Sequence, residues 1–397
     1  MTLKRIRVYA PVIAITLWSI WIIDVSGAGV IDRLGKIKGT DFIQFYVAGS
    51  FLREARGDLL YDARAQYERA QAVAPGTPDI FYVPVQSPQT ALAFAPLAKY
   101  RYTVALTVWF AVIAILYGAS CWIVWRDCVP LHTYRVETIV CCTAFPGFYS
   151  TVLHGQTSCA ALLAVSIALF ALRRDRHFSA GLALGCLVFK PHWVAVAGAA
   201  FVAAREWRVV AGLVGAAAVQ LAGVYLIVGP AVMSAYWATL RSIQRISQLL
   251  EPRPGNTLKG LLTAVIPWET AALGLYAAAS ILTLMLAARV WRSSARFELR
   301  ASVMVLAMIL ISPHAFEYDL VLLTPVLILL ASLMTDASDR LPARLLSVTL
   351  PALFIAPLIT GIPAVLRLQF SVTAMAVILY ALAQNRTETL RPAAAAL

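Results

Sequence analysis

Charge is scarce in this chain. Asp, Glu, Lys and Arg make up 13% of its 397 residues, and the carboxylates are the rarer half, 20 against 33 Lys and Arg. A soluble domain carries about 25% charged residues, so an ordinary water-facing surface is excluded. The six cysteines (Cys121, Cys128, Cys141, Cys142, Cys159, Cys186) form no CxxC pair and share no zinc-type spacing with histidine. That excludes a zinc ribbon, and the cysteines read as small apolar residues. A Walker A loop, a GxGxxG turn, an HExxH helix and a GxSxG nucleophile elbow are also missing. With them go the nucleotide-cradling, metalloprotease and α/β-hydrolase classes.

What fills the chain instead is apolar. Hydrophobic residues reach 60% and the mean hydropathy is +0.76. A membrane core about 30 Å thick needs about 20 apolar residues per helix. Runs at 8–26, 103–125, 136–153, 157–172, 178–190, 191–204, 209–228, 270–288, 299–312, 318–334, 345–360 and 363–384 predict an all-α polytopic membrane protein of about twelve spans. The net charge of +13 does not point to nucleic acid, because Lys and Arg gather in short loops between runs. Arg126 and Arg135, Arg173, Arg174 and Arg176, Arg205 and Arg208, Arg289 to Arg300, Arg340 and Arg344, and Arg386 and Arg391 all fall on the side of the N-terminus. By the positive-inside rule that side is the cytoplasm, and both termini lie there. Residues 1–27 have a basic start but no small-residue cleavage site, so they read as a retained first span.

The alternation of charge holds only if 178–204 splits into two short helices at Lys190-Pro191-His192. Proline disfavours helix at the residue before it, and a break at membrane depth implies a polar cavity. The opposite face then receives a first outer loop (27–102), His154-Gly155-Gln156, a second outer loop (229–269), the stretch 312–318 and a turn near Gly361. Residues 40–73 predict two short interfacial helices, with Phe42, Phe45, Tyr46 and Phe51 apolar on the first and Leu59, Leu60 and Tyr67 on the second. Arg53, Arg56, Arg64 and Arg69 are placed to snorkel toward headgroups. Residues 75–96 read as ordered loop, 1–391 as one membrane-embedded domain without internal repeat, and 392–397 as a disordered tail.

Nearly every unusual polar residue falls on the outer face. Asp41 suits a general base at the water–lipid boundary, or an N-cap for the helix that begins at Phe42. Ser312-Pro313-His314-Ala315-Phe316-Glu317-Tyr318-Asp319 links two spans there, with His314 placed to donate to a phosphate and Asp319 to orient a partner. The H-x4-D pattern of His314 and Asp319 also invites an acyltransferase reading, without a second acyltransferase block. Lys190 calls for an anionic partner, either a phosphate or a carboxylate such as Asp319. Gln156 is placed to bond a sugar hydroxyl or to cap the next helix. Arg241, Arg245, Arg253 and Lys259 sit on the side that the charge rule disfavours, which fits a lipid phosphate or ordinary headgroup contact.

Together these residues resemble glycosyltransferase family 87, a group of C-type membrane glycosyltransferases that use polyprenyl-phosphate sugars. The resemblance rests on Gly39-Thr40-Asp41-Phe42 with Phe45-Tyr46 and Ala48, then Gly57-Asp58-Leu59-Leu60-Tyr61-Asp62. It continues through Phe81-Tyr82 with Pro84, Phe94 with Pro96-Leu97, Trp109, Gly155-Gln156, Lys190-Pro191 and Ser312-Pro313-His314, in family order over about 39–325. The family's usual proline pair after the first-loop tyrosine is here Val83-Pro84, and the tail matches by hydropathy alone.

The resemblance implies inverting transfer of a hexose, typically mannose, to a lipid or glycan acceptor on the outer face of a bacterial inner membrane. It implies Asp41 as base and His314 near the donor phosphate. The phosphate ligands are then expected among Lys190, Arg241, Arg245, Arg253 and Lys259. Gln44, Tyr46, Tyr82, His154, Gln156, His192 and Asp319 are expected to bind substrate. No DxD pair stands near Asp41, so no metal or other cofactor is expected. The rivals are a lipid or small-molecule transporter with a midplane site at Lys190, against which no second Lys-Pro break is found, and a silent assembly partner.

Overall fold

A computed structural model describes residues 3–75, 82–249, 255–335, 343–359 and 369–384. Every regular element in it is helical, and the lone β-bridge among the described residues joins Ile31 and Ile37. Four helices are long and apolar enough to cross a membrane: Leu3–Val25, Tyr102–Trp125, the Trp207–Ser242 portion of Trp207–Leu249, and Glu269–Trp291. A fifth is reached if residues 129–154 are counted as one span, bent by 42° where Pro146 follows Phe145. The expected twelve are therefore not shown. Most of the other runs form apolar helices of 10–17 residues, shorter than a perpendicular crossing needs.

At the core stands Phe297–Ile311. Thirteen of its fifteen residues are buried, as expected of a helix apolar all round. The outermost helices are the reverse: Leu3–Val25 buries only Ala10 and Leu17 and leaves Ile15, Ile20 and Ile23 exposed. Between these extremes, His177–Gly185 packs closely on Trp207–Leu249. A Cβ on Gly181 would lie 2.0 Å from the Val209 carbonyl oxygen, and one on Gly212 would lie 2.2 Å from that of Phe178. Small residues at a crossing allow helices to associate where lipid offers no hydrophobic drive.

The break at Lys190 is present. Helix His177–Gly185 tightens into the 3₁₀ turn Cys186–Phe189, and a new helix, Pro191–Ala203, opens on Pro191. The second outer loop differs from expectation. Trp207–Leu249 runs on past residue 228 as helix, with a kink at Gly229 (φ 81°) ahead of Pro230, where the missing N–H and ring bulk of proline deform the helix. Residues 75–96 are likewise not all loop, since Pro88–Phe94 is a helix whose N-cap Ser87 accepts from Thr90 N. The turn near Gly361, the tail, Arg340, Arg253, Arg386, Arg391 and the side chains of Arg245 and Arg344 lie outside the described residues.

The two short outer helices exist as Phe42–Arg53 and Ala63–Val73, but protein covers the apolar face of the first. Phe42, Phe45 and Phe51 are at most 2% exposed; the rings of Phe94 and Tyr102 pack on Phe42, and Phe94 also meets Phe45 and, behind it, Trp109. The arginines do not reach out alone either. Arg69 clasps Glu54 with two bonds of 2.8 and 2.7 Å, Arg56 meets Asp58 at 3.2 Å, Arg64 meets Glu68 at 2.7 Å and Arg53 meets Glu54 at 3.3 Å.

Candidate functional site

Two glycine turns build the site around Asp41. Gly39 (φ 61°) and Gly155 (φ 64°) both occupy the left-handed region, which a side chain disfavours. They also lie against each other. A Cβ on Gly155 would come within 2.8 Å of Phe42 Cβ and 3.5 Å of Gly39 Cα. Backbone bonds then lock the turns, Asp41 N donating to His154 O at 3.0 Å. Two aromatic residues of Tyr102–Trp125 fasten them from below, Tyr102 Oη donating to Lys38 O at 2.7 Å and Trp109 Nε1 to Gly155 O at 2.8 Å.

Asp41 occupies the N-cap position of Phe42–Arg53 yet makes no side-chain cap bond. Its carboxylate instead accepts from Gln156 Nε2 at 2.7 Å. Burial pushes its pKa up, and the nearby Glu317 adds to that push. His154, the Gln156 bond and Lys190 oppose it. His154 in turn is held by its Nδ1, 2.8 Å from the Ser150 carbonyl, so the hydrogen lies on Nδ1. Its Nε2 faces Glu317 at 3.7 Å.

The helix break supplies the second half of the site. Lys190 Nζ lies 2.8 Å from Asp319 Oδ1 and 2.9 Å from Ser158 Oγ, and Ser158 donates to the same Oδ1 at 2.7 Å. The other carboxylate oxygen accepts from Phe316 N at 3.2 Å. The carboxylate weighed as a partner for Lys190 is therefore in contact with it. The ring of Tyr318 lies 5.5 Å from Nζ, within reach of a cation–π attraction.

His314 stands beside this pair. It is exposed, but the crowding of neighbouring protein lowers its pKa; Lys190 and Lys259 act in the same direction and Asp319 opposes them. Its ring is 6.0 Å from that of His192, whose Nε2 is buried without a hydrogen-bond partner among the described residues. Lys259 is brought here by the turn before Leu258–Val265. Asn256 N donates to Ala315 O at 2.7 Å, and Ser371 Oγ donates to Asn256 Oδ1 at 2.7 Å.

One connected cluster thus gathers Asp41, His154, Gln156, Lys190, His192, Lys259, His314 and Asp319. Tyr82 joins at its edge, donating to Thr40 O. Gln44 turns away toward Gln86, whose Nε2 donates to it at 3.2 Å. Tyr46 is a packing residue, its hydroxyl on Tyr100 O at 2.8 Å. Arg241 is exposed on the long helix, with no hydrogen bond or ion pair to the cluster among the described residues. Sequence reasoning missed Glu317 and Ser158 as members. Glu317 lay in the open within the 312–319 stretch, and Ser158 stood two residues past Gln156. No group of three His, Cys, Asp or Glu side chains suited to a metal occurs among the described residues.

Chemically, the cluster pairs a desolvated carboxylate with an adjoining pocket of one amine already neutralised, one further amine and two imidazoles. A comparison with curated proteins and one with solved structures return no match. The family model of glycosyltransferase family 87 matches residues 86–313, more than half of the chain. That span takes in His154, Gln156, Lys190, His192 and Lys259; Tyr82, His314 and Asp319 lie just beyond its ends, and Asp41 lies well before its start. By this match the chain belongs to glycosyltransferase family 87.

Proposed function

We propose that this glycosyltransferase moves a hexose, mannose by preference, from a polyprenyl-phosphate donor to a lipid or glycan acceptor at the extracytoplasmic face of the bacterial inner membrane. The observation that carries this reading is the state of Asp41: a desolvated carboxylate that caps no helix and is aimed by Gln156. Burial raises its proton affinity, which brings it closer to that of an effective general base. The acceptor hydroxyl gives its proton to Asp41 and attacks the anomeric carbon from the side opposite the phosphate. The carbon–phosphate oxygen bond breaks in the same displacement, and the configuration inverts.

Polyprenyl phosphate leaves with its charge met by Lys259, by the Lys190 hydrogen not taken up by Ser158 and Asp319, and by an N–H of His314. Donors fixed in advance stabilise such a charge without reorganisation. Replacement of Asp41 by Asn keeps the shape and removes the proton acceptor. With purified protein and labelled polyprenyl-phosphate mannose, transfer is expected to fall by about 10²–10⁴-fold, the usual worth of a general base. A fully active Asn variant refutes the role, and an absence of label on any acceptor with the unaltered protein refutes the donor.

A further inference from the structure

We propose that Ser158 and Asp319 are positioning residues for the transfer: with Lys190 they form a buried strut that keeps the base at Asp41 in register with the ligands of the leaving phosphate. The proposal rests on the glycosyl-transfer reading above and names what holds its two halves together. The strut's bonds are short and shared. Ser158 Oγ accepts from Lys190 Nζ at 2.9 Å and donates to Asp319 Oδ1 at 2.7 Å, and Lys190 Nζ lies 2.8 Å from that same oxygen. Asp319 Oδ2 accepts from Phe316 N at 3.2 Å. Ser158 is 0% and Asp319 2% exposed, and bonds to charged groups strengthen where water is kept out.

Three backbone segments meet at Asp319, and each carries a residue of the site. On the first, Gln156 Nε2 donates to Asp41 at 2.7 Å while its Oε1 accepts from Thr157 N at 3.2 Å, which sets the amide's orientation. Ser158 follows two residues later and opens the helix Ser158–Leu172. At no more than about 3.6 Å per residue, the base's ligand and the strut lie within about 7 Å along the chain. The second segment is the helix break, where His192 follows Lys190 at the start of Pro191–Ala203. The third is the loop pinned at Phe316 N, with His314 two residues before it and Glu317 one after. Thr151 Oγ1 braces the same loop from Pro146–His154, 2.9 Å from Tyr318 O.

These contacts leave Asp319 no face for a substrate. Three donors already meet its carboxylate, and burial closes the remaining lone pair. Its part in the reaction is therefore exerted through Lys190, Ser158 and Phe316. That part matters because an in-line displacement needs base, anomeric carbon and departing phosphate aligned, and a misplacement of about 1 Å can cost about 10²-fold in rate. Ser158→Ala removes one member of the strut without stranding a charge, since Lys190 and Asp319 keep each other.

Full-length protein in lipid nanodiscs carries the test in two arms. Without any donor, hydrogen-exchange mass spectrometry follows the segment 312–318. Ser158→Ala, on a different helix, is expected to speed exchange there by about tenfold, the usual effect of losing one hydrogen bond to a charged group. With labelled polyprenyl-phosphate mannose, the same variant is expected to lose about 10–10²-fold in kcat, with the donor KM little changed. If the alanine variant does not fold, Ser158→Cys, which donates only weakly, is held to the same expectations. Exchange at 312–318 equal to that of the unaltered protein overturns the proposal. So does an intact kcat, or a loss confined to the donor KM, which would make these residues donor contacts. The exchange arm contains no donor, so its failure is distinct from that of the transfer reading, whose sign is an unaltered protein that moves no label.

Discussion

At the residue scale, Asp41 is governed by opposing neighbours, and its titration should report them one at a time. An ordinary aspartate has a pKa near 3.9; burial holds this one higher. The acid limb of kcat/KM is therefore expected above the range of an exposed carboxylate, with activity lost as pH falls through the raised value. Gln156→Leu removes a bond that favours the charged form, so the limb should move further up. Glu317→Gln removes a like charge, so the limb should move down. A purely structural role would lower the rate without moving the limb, and limbs that stay fixed in both variants would remove Asp41 as the titrating group. Stability carries the opposite sign. A carboxyl whose folded pKa is raised opposes folding; that cost is absent below the unfolded value and complete above the folded one. Asp41→Asn should accordingly unfold no earlier than the unaltered protein at neutral pH, which separates lost chemistry from lost structure.

At the scale of elements, legibility followed the type of signal. The Lys190 break could be read because Lys-Pro inside an apolar run has few structural outcomes. Its partner could be read only as a phosphate or a carboxylate such as Asp319, since the approach of Asp319 depends on how 319–323 packs beside Ser158–Leu172. The outer helices show another limit. Spacing tells which face is apolar but not whether lipid or protein covers it, so the burial of Phe42, Phe45 and Phe51 was not foreseeable. Nor was the capping reading of Asp41 decidable, because Gln156 arrives from another turn. The Lys190–Asp319 pair now makes a sharp prediction. The side chains are 14% and 3% exposed. Removing one partner leaves the other charge stranded, so Lys190→Ala should cost roughly 3–5 kcal/mol of stability. Lys190→Met with Asp319→Leu removes both charges and should recover most of that loss. Thermal unfolding of the purified variants decides it, and a Lys190→Ala protein as stable as the parent would show that the pair is dispensable.

At the scale of the whole molecule, the polar groups divide between two ends. Tyr102–Trp125 carries Tyr102 beside Asp41 and, just past its other terminus, Asp127, which Arg174 grips at 2.8 and 3.0 Å. Ser158–Leu172 runs from the Lys190 pair to Arg173, and Arg173 donates to Glu298 at 2.9 Å. Phe297–Ile311 returns from Glu298 to Ser312 and His314. At about 1.5 Å per residue, the 24 residues of Tyr102–Trp125 span about 36 Å, enough to hold the two ends on opposite faces of a bilayer. The arginine-rich end is expected in the cytoplasm by the charge rule, and Asp41 is then expected outside. Two exposed positions test this in a background without native cysteines: Asp58, whose side chain is 62% exposed near the site, and Asp175, 97% exposed at the arginine end. Intact spheroplasts treated with a membrane-impermeant maleimide should label Asp58→Cys at once and Asp175→Cys only after permeabilisation. The reverse order would place Asp41 on the cytoplasmic side, where a donor presented at the outer leaflet could not reach it.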